Sequence, residues 1–397
     1  MSVDDGVLTF HDMLDYITAL TDGGARTKDL RLHKEAILGA YRDITMCHEW
    51  DYYMKEGRVN LSVKYTTGTI TYDHTGADYE RRLHLAGAGA SWPDWAGSGR
   101  VRISDVVSSV DRRISGAYLT LDENLNPGAD IAAGTSFELY QTAYALPADL
   151  WRLYDVAVEK SYWTPNYITP SEWLGRERFH DIEGQTWAWT IMKDPDNDNR
   201  FAMFVDPKPN TAEPLGFIYR RRPRTLRWAG TESTARATTI TGVLDATSVT
   251  ASATLPQNMV GSIIRLTDSG SIPTGLAGTN PYIEQHRVVR ITGTGSSTIV
   301  DIAGTVSQAY TAGSKAQISD PIDMNDTMLE AFKAQVEYRL SRFANDLQDM
   351  TASKGVAEME LRRSLEAESR VASFGGSGQS RYDYLFSHLQ NTITTDA

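Results

Sequence analysis

Arg100-Val-Arg-Ile103, Val110-Asp-Arg-Arg-Ile-Ser115, Leu119-Thr-Leu-Asp122 and Gly134-Thr-Ser-Phe-Glu-Leu139 form a series of short runs that recurs later in the chain. The second series is Ile263-Ile-Arg-Leu266, Val288-Val-Arg-Ile-Thr292, Thr298-Ile-Val-Asp301 and Gly313-Ser-Lys-Ala-Gln-Ile318. Asp122 and Gly134 are 12 residues apart, and so are Asp301 and Gly313. A Thr-Ile-Thr strand precedes each series, at Thr69 to Thr71 and at Thr239 to Thr241. Alternating β-branched and polar residues between Gly, Pro and Asn clusters read as strands. Self-similarity of this kind marks a repeated unit. The expectation is two related β-modules, each a small barrel or sandwich. Thr267 to Gln285 has no counterpart in the first copy and reads as an inserted loop, the part of a β-module that often carries contacts.

The period changes outside the modules. Thr9 begins a short helix with Met13, Ile17 and Leu20 on one face, ended by Asp22-Gly-Gly24. Thr27 is placed to cap a longer helix to about Trp50. Its apolar face reads Leu30, Ile37, Ala40, Tyr41, Ile44 and Cys47. Near the other end, Asn325-Asp-Thr327 caps a helix to about Asp349, with the stripe Met328, Phe332, Val336, Leu340, Phe343 and Leu347. A weaker helix spans Ser353 to Ala372, with Val356, Leu361 and Leu365. Amphipathic helices need a partner surface, and the economical partners are each other. The fold class expected is therefore α+β: a discontinuous helical bundle from the N- and C-terminal helices, with two inserted, related all-β modules.

The corresponding layout is 1–57 N-terminal helices, 58–146 first β-module, 147–230 central mixed segment, 231–320 second β-module, 321–374 C-terminal helices and 375–397 flexible tail. In the central segment, Trp151 to Val158 reads as a strand. Pro170 suits the first position of a short helix. Thr186 to Met192, Phe201 to Val205 and Leu215 to Arg220 read as three further strands.

Composition narrows the function. The chain has 397 residues, 41% hydrophobic and 23% charged, enough to bury the cores of two or three domains. No apolar run approaches the ~18 residues of a membrane helix, so no membrane partner is expected. Met1-Ser-Val-Asp-Asp5 lacks the basic-then-apolar layout of a signal peptide. The one cysteine, Cys47, forms no disulfide within the chain and reads as a small buried residue of a protein made in a reducing cytoplasm. The formal net charge of -12 opposes general nucleic-acid binding through the surface field. An acidic wall would instead let DNA pass without sticking. Solubility alone also accounts for the charge.

Motifs of chemistry are missing from the sequence. Gly87-Ala-Gly89 and Gly293-Thr-Gly295 lack the further glycine and the strand-to-helix context of a dinucleotide loop. The eight histidines have no zinc-ligand spacing. Asp194, Asp196 and Asp198 alternate like the start of a calcium loop, but Asn199 and Val205 stand where its glycine and glutamate belong. No catalytic residue, cofactor or metal is expected. Trp92, Trp95, Trp163, Trp173, Trp187 and Trp189, with Trp187 and Trp189 on one strand face, read as a sugar platform or as core and interface packing.

Two stretches remain as contact candidates. Arg220, Arg221, Arg222 and Arg224 form the one dense basic run, read as a contact with DNA or an acidic neighbouring subunit, or as a strand end with local ion pairs. Beyond the linker Gly375-Gly-Ser-Gly378, Arg381, Tyr382, Tyr384, Leu385 and Phe386 form a tethered apolar segment. It reads as a partner anchor, or as a last helical turn packed on its own domain.

Several phrases carry a family resemblance together. They are Gly57 to Val63, Gly99-Arg-Val-Arg-Ile103, Leu119-Thr-Leu-Asp122 with Asn126-Pro-Gly-Ala-Asp130, and Tyr144-Ala-Leu-Pro-Ala-Asp149. Asn258-Met-Val-Gly261, Ile318-Ser-Asp-Pro-Ile-Asp323 and Glu337-Tyr-Arg-Leu340 complete the set. Over nearly its full length the chain resembles head-to-tail adaptors of tailed bacteriophages, also called connector, neck or head-completion proteins. The resemblance implies a structural virion protein, not an enzyme, with a helical core and β-extensions. It implies a ring of copies of the chain, commonly twelve, below the portal protein at the capsid vertex, assembled in the host cytoplasm. Such a ring extends the channel through which genomic DNA passes without sequence-specific binding, and gives the tail or nozzle protein its docking surface. The portal anchor would fall to Gly375 through Leu389. Most such adaptors are smaller, so the second β-module is a departure. The competing expectations are a carbohydrate-binding, tail-fibre or decoration protein, and a phage-associated cell-wall hydrolase.

Overall fold

The computed structural model describes residues 6–21, 30–76, 80–158, 164–179, 182–194, 197–236, 238–268, 270–273, 282–293, 297–344 and 347–372. It is an α+β protein, with five α-helices and 22 strands among the described residues. The chain divides into two compact units, a central one (Tyr53–Arg222) and one joining Met1–Tyr52 to Pro223–Ala397.

The first unit in chain order opens with α1 (Phe10–Thr21) and α2 (Leu30–Cys47). The central unit then begins with β1 (Met54–Asn60) and runs through β2 (Thr69–Thr75), β3 (Glu80–Ala86), β4 (Gly99–Ile103), β5 (Val106–Arg113), β6 (Tyr118–Leu121), β7 (Ile131–Thr135) and β8 (Phe137–Gln141). Strands β2 to β8 make one antiparallel sheet of order β7-β2-β3-β6-β5-β4-β8. The sheet curls around Ile70, Leu83, Trp92, Val101, Leu119, Leu121 and Leu139. Only Ser136 separates β7 from β8 along the chain.

The rest of the central unit is β9 (Ala143–Ala145), β10 (Leu150–Val158), β11 (Asn166–Tyr167), α3 (Pro170–Phe179), β12 (Glu183–Gly184), β13 (Ala188–Asp194), β14 (Asn197–Asp206), β15 (Lys208–Pro209) and β16 (Pro214–Arg221). Sheets β1-β16-β10 and β11-β13-β14-β9 bury Val59, Leu61, Tyr144, Trp189, Met203, Leu215 and Phe217 between them. The strands read from sequence at 151–158, 186–192, 201–205 and 215–220 correspond to β10, β13, β14 and β16. Helix α3 starts at Pro170, and the Glu172 amide donates to Thr169 Oγ1 at 3.2 Å, the N-cap arrangement that a first-turn proline favours.

The other unit resumes with β17 (Thr238–Gly242), β18 (Ser248–Ala251), β19 (Ile263–Thr267), β20 (Glu284–Thr292), β21 (Thr298–Ile302) and β22 (Tyr310–Ser319). These close into a six-stranded barrel of order β17-β18-β21-β20-β19-β22. Strands β22, β19, β20 and β21 follow one another as in a Greek key. Ile240, Val249, Ile264, Leu266, Val288, Ile291, Val300, Ala316 and Ile318 fill the interior.

The two modules are the same construction in the same register. Ile103 faces Phe137 in the first, and Leu266 faces Ala316 in the second. Each partner lies three residues after a left-handed glycine, Gly134 (φ +91°) or Gly313 (φ +106°). Ile70 faces Thr135 and Ile240 faces Ser314, one residue after those glycines. A bulge follows Val110 in β5, and another follows Val288 in β20. Pro93 and Pro256 each open a short 3-10 turn before β4 and β19.

Two details of the sequence alignment change. Leu121 faces Val110 and Ile302 faces Val288, so Thr120, not Asp122, is the counterpart of Asp301. A shift of two keeps the same strand face, which is why sequence spacing did not expose it. Gln285 also belongs to β20, facing Arg265, so the insertion is shorter than Thr267 to Gln285. It joins Leu266 to Glu284, where the first module needs only Ser104-Asp105 between Ile103 and Val106.

The equivalence is testable. A Cβ at Gly134 or Gly313 meets no atom within 4 Å, so only backbone strain opposes it. Gly134→Ala and Gly313→Ala should each cost about 1–2 kcal/mol in urea unfolding. A loss at one glycine alone would contradict the shared construction.

Two long helices end the described chain: α4 (Asp326–Ala344) and α5 (Leu347–Ala372). Asn325 caps α4, its Oδ1 accepting from the Met328 amide at 3.2 Å. Thr9 caps α1, with Thr9 N–H donating to Asp12 at 2.8 Å and the Asp12 amide to Thr9 Oγ1 at 3.3 Å, a reciprocal capping box. Helix α2 packs on α4. Tyr41 meets Phe332 edge-on at 6.2 Å, and Arg339 donates to Asp43 at 2.6 Å. Helix α5 packs on α4. Its Glu368 accepts from the Asp51 amide at 2.6 Å and lies 3.0 Å from His48 Nε2.

The helical faces depart from the sequence reading at their ends. The buried face of α2 is His33, Ala36, Ile37, Ala40, Tyr41, Ile44 and Thr45. Leu30 and Cys47 are exposed. After Ile44 the chain turns back, with Trp50 Nε1 donating to Ile44 O at 2.7 Å, and Trp50 takes the core place that the helical period gave Cys47. On α4, Met328, Phe332 and Val336 are buried but Phe343 is exposed. On α5, Val356 is exposed, and the buried positions among the described side chains are Ala357, Ser364 and Glu368. Polar anchoring, not an apolar stripe, therefore sets the α5 face.

Candidate functional site

The basic run is divided by the fold. Arg220 lies in β16, one residue before its end, and is buried. Arg221 places its guanidinium 5.0 Å from the Tyr53 ring. Arg222 is exposed, and its amide donates to Asp149 O at 2.6 Å. Arg224 belongs to the other unit. Its Nη2 lies 2.9 Å from Asp320 Oδ1 and 3.1 Å from both Val260 O and Ser262 Oγ. Its amide donates to Asp323 at 2.9 Å. Arg224 makes a local ion pair with Asp320, the arrangement that was the alternative reading of the run. Arg381, Tyr382, Tyr384, Leu385 and Phe386 lie outside the described residues.

The tryptophans go to cores. Trp92, Trp173 and Trp189 are buried. Trp187 packs with Trp173 and Phe204, while Trp189 belongs to the Tyr144 and Leu215 cluster. They therefore make no shared platform. Trp163 lies outside the described residues. Among the described residues there is no group of three or more His, Cys, Asp or Glu arranged to hold a metal.

Three buried polar clusters escaped the sequence reading. The first surrounds Asp320, 1% exposed. Its carboxylate accepts from the Arg227 amide at 2.6 Å, the Trp228 amide at 2.7 Å, Ser262 Oγ at 2.8 Å and Arg224. The second joins the start of α1 to the barrel. Arg265 pairs with Asp12, both side chains being buried. Arg265 Nε donates to Gln285 at 3.2 Å, and Gln285 to Val7 O at 3.3 Å. The Phe10 amide donates to Asp320 O at 2.8 Å, and the Ile322 amide to Leu8 O at 2.8 Å. The one available sequence signal was Thr9-x-x-Asp12, a capping box with an acid free to reach further.

The third cluster lies at the mouth of the second barrel. Tyr310 donates to Glu284 Oε1 at 2.7 Å, and the Ser307 amide donates to Glu284 Oε2 at 3.0 Å. His286 Nε2 lies 3.0 Å from Glu284 Oε2, and Nδ1 lies 3.1 Å from Ala303 O. Both ring nitrogens thus face oxygens. Burial pushes the Glu284 carboxyl up, but the bonds from Tyr310, Ser307 and His286 outweigh it and hold the group below its ordinary value.

A carboxyl lowered in this way contributes stability that is present above its ordinary pKa and vanishes as pH falls through the folded value. The barrel should therefore weaken in acid below the ordinary carboxylate range. Glu284→Gln should flatten that part of the profile, read by urea unfolding between about pH 3 and pH 7. An unchanged acid limb would contradict the assignment.

No protein-family model matches the chain, and no curated protein matches it in sequence.

Proposed function

We propose that this chain is a head-to-tail adaptor of a tailed bacteriophage. Copies of it form a ring below the portal protein, extend the DNA channel and present the docking surface for the tail. The carrying observation is the contact of the N-terminal helix α2 with α4, through Tyr41–Phe332 and Asp43–Arg339, while both β-modules are spelled between these helices. That pairing supports a discontinuous helical frame bearing two inserted modules. Some residues of the phrases behind the resemblance serve as joints of the fold, while Asn126-Pro-Gly-Ala-Asp130 is largely exposed. Met259 is fully buried, Asp320 is the acceptor hub, and Asp149 accepts from Tyr219 at 3.0 Å. Net charge -12 suits a channel wall that phosphate does not adhere to.

The dispersal of the tryptophans into separate cores favours this reading over a sugar-binding protein. In this account the portal anchor is the 381–386 segment. Removing Ser380 to Ala397 should leave the unfolding profile unchanged and weaken capture by purified portal at least tenfold, about 1.4 kcal/mol. Unchanged capture would reject the anchor role.

A further inference from the structure

The chain passes between its two units twice, at 52–53 and at 222–223. Each unit gathers both passing segments with one aspartate of its own. In the helix-and-barrel unit, Asp323 Oδ1 accepts from the Tyr52 hydroxyl at 3.1 Å and Asp323 Oδ2 from the Arg224 amide at 2.9 Å. In the central unit, Asp149 Oδ1 accepts from the Tyr219 hydroxyl at 3.0 Å, and Asp149 Oδ2 lies 3.3 Å from Lys55 Nζ. The Arg222 amide donates to Asp149 O at 2.6 Å. Lys55 follows closely on the first passage, and Arg222 is the last residue before the second.

The segments are also held further back. In the central unit they run on as β1 and β16, paired antiparallel from Met54 opposite Arg220 to Asn60 opposite Pro214. In the other unit, the Asp51 amide donates to Glu368 at 2.6 Å, and the Tyr41 hydroxyl donates to Arg224 O at 2.9 Å. Few soft torsions remain between these anchors. Pro223 has a fixed φ and no amide hydrogen, and it disfavours a helical Arg222. The Tyr52–Asp323 and Lys55–Asp149 contacts are exposed. Contacts of that kind add little to stability, so their effect lies in where the two segments run. A single tether lets two bodies bend and swivel. Two tethers rooted side by side at both ends oppose swivelling, because a turn would pull one segment from its root.

We propose that the double passage is a hinge with Asp149 and Asp323 as its root clamps. The two aspartates are positioning residues. They confine the change of backbone torsion to Tyr53 on one segment and 222–223 on the other, so that the hinge bends but does not swivel. Hinges in general absorb their motion in a few such residues at the ends of elements.

The test uses the full chain with Cys47→Ser, spin-labelled at Val243→Cys and Leu125→Cys, one exposed position in each unit. Double electron–electron resonance reads the distribution of distances between the labels. Asp323→Ala and Asp149→Ala should each widen that distribution, and the two together should widen it most. Tyr52→Phe removes one arm of a clamp and leaves the carboxylate, so it should widen the distribution less than Asp323→Ala. Hydrogen exchange at 222–226 should quicken about tenfold in Asp323→Ala, the size of one hydrogen bond to a charged group. Exchange in α4, β19 and β13 should stay as in the parent, which separates a loosened hinge from a lost fold. An unchanged distribution in the double variant would overturn the proposal. So would a parent distribution already as wide as the variants', or widening that comes only with faster exchange inside either unit. If Asp323→Ala does not fold, Tyr52→Phe decides, and a distribution that it leaves unchanged rejects the clamp.

Discussion

Arg265→Ala should destabilise the helix-and-barrel unit by about 3–5 kcal/mol, because it leaves Asp12 as an uncompensated buried charge. The side chains of Arg265 and Asp12 are 2% and 4% exposed. Asp12 also closes the capping box of α1. One carboxylate thus fixes the start of the helix and docks it on β19. Asp12→Ala should cost a similar amount, with the lost cap adding about 1 kcal/mol. Combining Arg265→Met with Asp12→Ala should cost less than either single alanine change, since the orphaned charge is gone. Urea unfolding measures the losses, and hydrogen exchange at β19 and β22 locates them. A single-variant loss below about 1 kcal/mol would mean that water screens the pair as on an open surface.

The second large effect belongs to Asp320. Its replacement by alanine removes the acceptor for the Arg227 and Trp228 amides, Ser262 Oγ and Arg224 together. Each buried donor left without a partner costs about 1–3 kcal/mol, so the total should reach at least about 4 kcal/mol. Asp320→Asn keeps an acceptor oxygen and should lose clearly less. Arg224→Ala should fall between Asn and Ala, because the arginine is partly exposed and leaves the backbone donors satisfied. If Arg224→Ala were neutral for stability, its place in the fold would not explain the residue, and the outward contact reading would regain force.

These clusters show where sequence reasoning stops. Strand periodicity, Thr-Ile-Thr and the glycine pair Gly134 and Gly313 carried the duplicated module, because turn glycines and alternation are local signals. The inserted loop was legible for the same reason, as a length difference between copies. Closure of β17 onto β22 was not, since pairing 238–240 with 314–316 is a long-range event without a local mark. Side-chain partners were also hidden. Asp12 and Arg265 are 253 residues apart, and nothing in either neighbourhood distinguishes them from surface charges.

The helices divide along similar lines. Phe332, Val336, Ile37 and Ile44 follow the helical period into the core. Cys47 and Phe343 follow the same period but remain exposed, Cys47 because Trp50 folds back against Ile44 and takes its core place. Helix α5 gave only a weak apolar pattern because Ser364 and Glu368 hold it through Thr327 O and the Asp51 amide. Of the candidate contacts, Arg224 was visible as charge, but its role in joining Asp320 to Ser262 is a property of the fold.

The adaptor account stands on assembly, and electron microscopy of the purified chain mixed with its portal protein tests it most directly. The account requires closed rings of the chain seated coaxially on the portal, lengthening its channel. A mixture in which the chain stays apart from the portal and forms no ring would contradict it.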